Sequence, residues 1–174
     1  MLGNARCDVQ IDIGFGDAVT PEPTEVNFPL LLPDNPPPII KAYPKETVIA
    51  EKLQAIVSLG MANSRMKDYY DVWAMSQQFD FDGQVLRDAV RATFRRRKTE
   101  LPAETPIGLS PAFASAPLKQ TQWRAFVSRT RLKQKSLDMK AVVDAIRDFI
   151  MPPTSAALAD KPFPRTWSKG GPWK

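Results

Sequence analysis

Apolar residues recur at helical spacing through the middle and the C-terminal part of the chain. From Lys45 to Leu59, Val48, Ile49, Leu53, Ile56 and Val57 follow one another at separations of one, three and four, which places them on one face of an amphipathic helix. Gly60 is suited to cap its C-terminus. A polar loop over 62–67 leads to a second helix that begins near Lys67–Asp68 and carries Tyr69, Tyr70, Val72, Trp73 and Met75 to about Gln78. After a turn at Asp80-Phe81-Asp82-Gly83, Val85, Leu86, Ala89, Val90 and Phe94 predict a third helix over 83–98. A proline-broken connection over 99–118 has room for a short helical turn at 110–116. Two more helices follow, over 120–132 with Trp123, Phe126 and Val127 inward, and over 137–151 with Met139, Val142, Val143, Ile146 and Ile150 inward. Pro152-Pro153 is expected to stop the last one.

The N-terminal pattern is different. Residues 8–15 alternate strictly, with Val9, Ile11, Ile13 and Phe15 on one face and Asp8, Gln10, Asp12 and Gly14 on the other, as in a half-buried strand. Seven prolines in 19–38 exclude a helix or a central strand there, and leave Phe28 and Leu30–Leu32 as a short edge strand or packed loop. Residues 39–43 read as another short strand. The fold class is therefore α+β. A few short strands over 8–43, a β core with a proline-rich loop (1–43), precede a mainly helical lobe (44–153) and an extended tail (154–174). The tail's Phe163, Trp167 and Trp173 are expected to dock on the body.

Composition removes much chemistry. The chain has no histidine and one cysteine, Cys7, so there is no histidine-based nucleophile system, no intrachain disulfide and no cysteine–histidine zinc site. Carboxylates, lysines and tyrosines are the acids and bases that remain, a set suited to phosphate chemistry with magnesium. No apolar run approaches the roughly 20 residues of a membrane span, and no signal-peptide pattern opens the chain, so a cytoplasmic protein is expected. Residues 1–40 hold six acids and one base, leaving 23 bases and 13 acids for the rest. Such a basic body suits a polyanionic partner, nucleic acid foremost, and is equally compatible with a soluble protein that is merely basic.

Against this background a few positions stand out. Lys52 lies four residues after Val48 and four before Ile56, inside the first helix's apolar stripe or at its border, with Glu51 on the stripe's edge. A lysine there snorkels to water or meets an anion. Arg65, Lys67, Asp68 and Asp71 follow within one loop and one helical turn; the two aspartates, three apart, are neighbours on one face. Helix capping accounts for Asp68 alone but not for the whole group. Asp12 would be presented by the first strand, either to a ligand or simply to solvent. The bases Arg95-Arg96-Arg97-Lys98 are a helix C-terminus complementing its dipole, or a phosphate patch.

The segments DVQIDIGFGD (8–17), AYPKETVIAEKL (42–53) and NSRMKDYYD (63–71) together resemble the AbiEii/AbiGii toxin family, nucleotidyltransferases with a polymerase-beta-like core from bacterial toxin–antitoxin and phage-defence systems. The resemblance runs from about Arg6 to the last helix. It implies that Asp12 is a metal-binding carboxylate. It makes Lys52, with Asp68 and Asp71, catalytic, and puts Glu51, Arg65 and Lys67 on the nucleotide side of the site. It further implies magnesium, a nucleoside triphosphate substrate, tRNA or another RNA as acceptor, and a cognate antitoxin. The family's first motif, Gly-Ser followed by paired acids, has no counterpart, since no Gly-Ser pair occurs. A truncated family member, inactive by itself, is therefore one expectation. A non-catalytic basic helical module that binds RNA or a partner protein is the alternative, and an inactive gene remnant a third reading.

Overall fold

A computed structural model describes residues 11, 16, 19–30, 35–130 and 137–174. Asp12, Cys7 and most of the strand expected over 8–15 lie outside the described residues, as do Leu31 and Leu32. Ile11, expected on that strand's buried face, is 78% exposed and belongs to no strand.

The order of elements is β1 (Thr24–Asn27), β2 (Ile39–Ala42), α1 (Lys45–Leu59), α2 (Met66–Gln78), β3 (Phe81–Asp82), α3 (Gly83–Arg96), α4 (Pro111–Ser115), α5 (Pro117–Arg129), α6 (Met139–Leu158) and β4 (Thr166–Trp167). Single 3-10 turns occupy Gly60–Ala62 and Ile107–Leu109. The architecture is α+β: helices around one core, with the strands among the described residues confined to two small antiparallel pairs. No helix among the described residues is long and apolar enough to cross a membrane.

β1 pairs with β2 from Thr24↔Ala42 to Asn27↔Ile39, and both strands are largely exposed. A strand thus forms at Thr24–Asn27, while Phe28 and Leu30 belong to none. Prolines 29 and 33 leave only three residues between them, whereas Pro23 and Pro29 enclose a longer proline-free run with the β-formers Thr24 and Val26. Thr47 on α1 holds the approach to this pair. Its hydroxyl donates to the Thr20 carbonyl (2.7 Å) and accepts from the Thr20 amide (3.1 Å).

α1 packs chiefly on α3, α3 on α6, and α2 on both α6 and α1. Ile49, Leu53 and Ile56 from α1 meet Leu86, Val90 and Phe94 from α3, with Met139, Val143, Ile146 and Phe149 from α6 in the same core. The Ile107–Leu109 turn seals one end. Tyr69 donates its hydroxyl to the Gly108 carbonyl (3.1 Å), and a Cβ on Gly108 would lie 2.8 Å from Ile56 Cγ2, so backbone and core touch there.

Two expectations about the C-terminal part need correction. Asp80–Gly83 is not only a turn, because Phe81–Asp82 forms β3, paired with β4 from the tail, and the Asp82 carboxylate caps α3 by accepting from the Val85 amide. Nor does Pro152-Pro153 stop α6, which continues to Leu158 with both prolines inside. Pro153 has no N–H for the Phe149 carbonyl four residues back. Trp173 supplies the missing donor: its Nε1 donates to that carbonyl at 2.8 Å, with the indole stacked on Phe149. The docked tail, with Phe163 and Trp167 each in ring contact with Trp173, thus lets the helix run past its prolines.

Candidate functional site

Lys52 leaves α1 toward α2, where the first two turns of α2 present Asp68 and Asp71 on one face. Its ammonium lies 2.8 Å from Asp68 Oδ1 and 2.8 Å from Asp71 Oδ2. Arg65 Nε approaches Asp68 Oδ2 at 2.8 Å, and Lys67 Nζ approaches Asp71 Oδ2 at 2.6 Å. The cluster is graded in exposure: the Asp68 side chain is 5% exposed, Lys52 18% and Asp71 21%, whereas Arg65 and Lys67 reach solvent. Burial works to lower the Lys52 pKa, but the bonds to Asp68 and Asp71 outweigh it and hold the ammonium above the usual lysine range. The anion that Lys52 meets inside the stripe is therefore this aspartate pair.

Asp68 does not cap α2. Arg65 occupies the cap position, and Asp68 in the first turn spends its carboxylate on Lys52 and Arg65. The loop before α2 is fixed by its own polar groups. Asn63, fully buried, accepts the Arg65 amide on its side-chain oxygen (2.8 Å), and buried Lys119 from α5 donates to the Asn63 carbonyl (2.7 Å). Beneath the cluster, burial pushes the Tyr69 hydroxyl well above the usual tyrosine pKa, with the Asp68 charge adding to it.

A cleft of about 270 Å³ opens beside this network, lined by Tyr43, Glu51, Lys52, Arg65, Asp68 and Arg97 with Val48 and Ala55. Tyr43 donates its hydroxyl to Glu51 Oε1 at 2.6 Å, and Arg97 stands 3.8 Å from the same oxygen while donating to Gln54 Oε1 at 2.9 Å. The structure thus gathers Glu51, Lys52, Arg65 and Asp68 around one opening, with Lys67 and Asp71 attached through ion pairs. It adds Tyr43 and Arg97, which helical periodicity does not single out. Arg97 stood in the run Arg95–Lys98, whose members separate. Arg96 donates to the Gly16 carbonyl, and Arg97 enters the cleft.

Cations already hold the carboxylates of this site. Both Asp68 oxygens and Asp71 Oδ2 face an ammonium or guanidinium, and no group of three or more histidine, cysteine, aspartate or glutamate residues among the described residues could hold a metal ion. Chemically the cleft suits a polyanion. Lys52, Arg65, Lys67 and Arg97 face Glu51, Asp68 and Asp71, an excess of one positive charge in a partly desolvated setting.

Comparison with curated proteins and with solved structures gives no match. A family model described as the nucleotidyl transferase AbiEii toxin of a type IV toxin–antitoxin system matches residues 1–152. That span takes in both helices of the cluster and most of the core, and the chain belongs to the AbiEii family of nucleotidyltransferase toxins.

Proposed function

We propose that this chain moves a nucleotide from a nucleoside triphosphate to an RNA acceptor, with tRNA the foremost candidate, at the cleft between α1 and α2. One observation carries the reading: a lysine kept charged and oriented by two aspartates borders a small polar cleft that two guanidiniums also line. The solvent-reaching Arg65 would meet the triphosphate first. Lys52 would then stabilise the charge that develops as an RNA hydroxyl attacks the α-phosphorus in line. The new oxygen–phosphorus bond forms as the α–β bridging bond breaks. Pyrophosphate leaves, and the hydroxyl proton passes to solvent. Asp68 and Asp71 act by fixing Lys52, and Glu51 by orienting Arg97 and Tyr43. A cognate antitoxin and a cytoplasmic site of action complete the proposal.

Nucleotidyltransferases generally use a metal ion, with magnesium the expected one here. Asp68 and Asp71 do not fit as its ligands, because both Asp68 oxygens and Asp71 Oδ2 already face Lys52, Arg65 or Lys67. We assign the metal-ligand role to Asp12, outside the described residues, and derive no step from the ion.

The same internal neutralisation favours a second reading, in which the network only joins α1 to α2 and the chain is a non-catalytic module holding RNA or a partner protein. Photo-crosslinking with azido-GTP and azido-CTP, followed by peptide mapping, separates the two. The transfer reading expects label within residues 43–71 that unlabelled triphosphate competes away and that Lys52→Ala abolishes. Label confined to other peptides, or unchanged in Lys52→Ala, overturns it.

A further inference from the structure

A second depression, of about 550 Å³, adjoins the cleft, and Arg65 and Asp68 line both. It runs between the start of α2 and the outer face of α5, with Ser64, Arg65 and Lys67 on one wall and Gln122, Phe126 and Arg129 on the other. Three of these side chains are cationic. Among the described residues Asp68 is the one carboxylate in the lining, and both of its oxygens already face cations. The charge is sustained along the chain: residues 105–130 contain three bases, Lys119, Arg124 and Arg129, and no acid. Two further features point to a ligand with more than phosphate to offer. Phe126, half-buried against Tyr70 and Trp123, contributes an aromatic surface to the groove. Gln122, on the same wall, adds a half-buried side-chain amide.

We propose that this groove seats a single-stranded RNA segment, its phosphates on Lys67 and Arg129 and a base against Phe126 and the Gln122 amide. Cations interleaved with an aromatic face form the stacking platform that single strands use, and a duplex would keep its base faces hidden. The amide end of α2 adds a favourable dipole on the phosphate side. Because Arg65 borders both depressions, a strand in the groove ends beside a triphosphate in the cleft. That step, which makes the strand the acceptor, rests on the transfer reading above; the binding itself does not.

The test is fluorescence anisotropy with a labelled single-stranded oligoribonucleotide at low salt, using the full chain without nucleotide. Arg129→Glu is expected to weaken binding about tenfold, and Arg129→Gln to lower the slope of log affinity against log salt by ~0.7, the share of one phosphate contact on a single strand. Arg95→Glu, which reverses a charge at the end of α3, is expected to leave affinity unchanged. Wild-type affinity in both Arg129 variants overturns the proposal. So does equal weakening by Arg95→Glu, or equally tight binding of an RNA duplex. The crosslinking assay keeps the two readings apart. Loss of Lys52-dependent label with RNA binding intact sinks the transfer reading and leaves the groove standing. Intact label in an Arg129 variant that still binds RNA normally does the reverse.

Discussion

Replacing Lys52 by methionine keeps most of the stem and removes only the ammonium. That ammonium is shared at 2.8 Å by Asp68 and Asp71, and the Asp68 side chain is 5% exposed. Removing one partner of a fully buried ion pair costs roughly 3–5 kcal/mol, because the other charge is left uncompensated. Here Arg65 and Lys67 remain, and Lys52 and Asp71 are about one-fifth exposed, so the expected loss is about 2–3 kcal/mol. In a domain of this size that lowers the melting temperature by roughly 5–10 °C. The triple variant Lys52→Met/Asp68→Asn/Asp71→Asn removes the three least exposed charges, leaves only the solvent-reaching Arg65 and Lys67, and should recover most of the loss, as replacing a buried pair outright is often neutral. Urea titrations of wild type, single and triple variants measure both quantities. A cost below about 0.5 kcal/mol for the single variant, or a triple variant no more stable than the single, refutes the account of α1–α2 coupling. The triple variant also separates structure from chemistry. Restored stability without restored nucleotide crosslinking assigns Lys52 a direct part in nucleotide binding; restoration of both reduces the cluster to a fastening.

Trp173→Phe retains the ring on Phe149 but leaves the Phe149 carbonyl without its donor, with an expected cost of about 1–2 kcal/mol by calorimetry; an unchanged melting temperature would remove the tail from the explanation of the proline-containing helix. Gly108→Ala forces a methyl to within 2.8 Å of Ile56 Cγ2 and 2.9 Å of the Ile56 carbonyl, for an expected loss of about 1–3 kcal/mol in denaturant titration. Tyr69 and Lys52 have folded-state pKa values above their unfolded ones, so their contributions are complete below about pH 10 and are lost as the unfolded chain deprotonates above it. Stability measured against pH should therefore fall on the alkaline side, and Tyr69→Phe should flatten part of that fall; an identical alkaline profile in the variant contradicts the burial of the hydroxyl.

Helical periodicity was enough to place most of this fold, because the apolar stripes of α1, α2, α3 and α6 are local and face a common core. α1 has the bounds Lys45–Leu59 that its stripe and Gly60 indicate. What periodicity could not supply was every feature decided by a distant residue. The rule that proline stops a helix holds when the orphaned carbonyl has no other donor, and here the donor is an indole some twenty residues further on, at Trp173. The turn at Asp80–Gly83 becomes a strand because residues 166–167 pair with it. The Arg95–Lys98 run looked uniform in sequence, yet side chains on successive residues leave a helix end in different directions. Arg96 reaches the Gly16 carbonyl while Arg97 reaches Gln54 and the cleft.

The same distinction governs the candidate site. A lysine inside an apolar stripe requires an anion or a route to water, and that requirement was legible from spacing alone. Which anion satisfies it was not, since Asp68 and Asp71 become partners only when α2 folds back on α1. The pairing changes how a triphosphate would have to be received. An unpaired buried ammonium would be a standing electrostatic trap. An ammonium already shared by two aspartates instead offers a bound phosphate an exchange of partners, in which every bond that Lys52 makes to the ligand weakens one between α1 and α2. Arg65 and Lys67 ease that exchange, because they can keep Asp68 and Asp71 neutralised while Lys52 turns toward the cleft. On the transfer reading, nucleotide binding and α1–α2 cohesion would be coupled through Asp68 and Asp71. Asp71→Asn, which loosens the more exposed partner, should strengthen triphosphate binding while weakening the fold. Competition by unlabelled triphosphate in the crosslinking assay, set against a urea titration, reads both effects, and a variant that loses both together would show that the aspartates hold Lys52 for the ligand rather than against it.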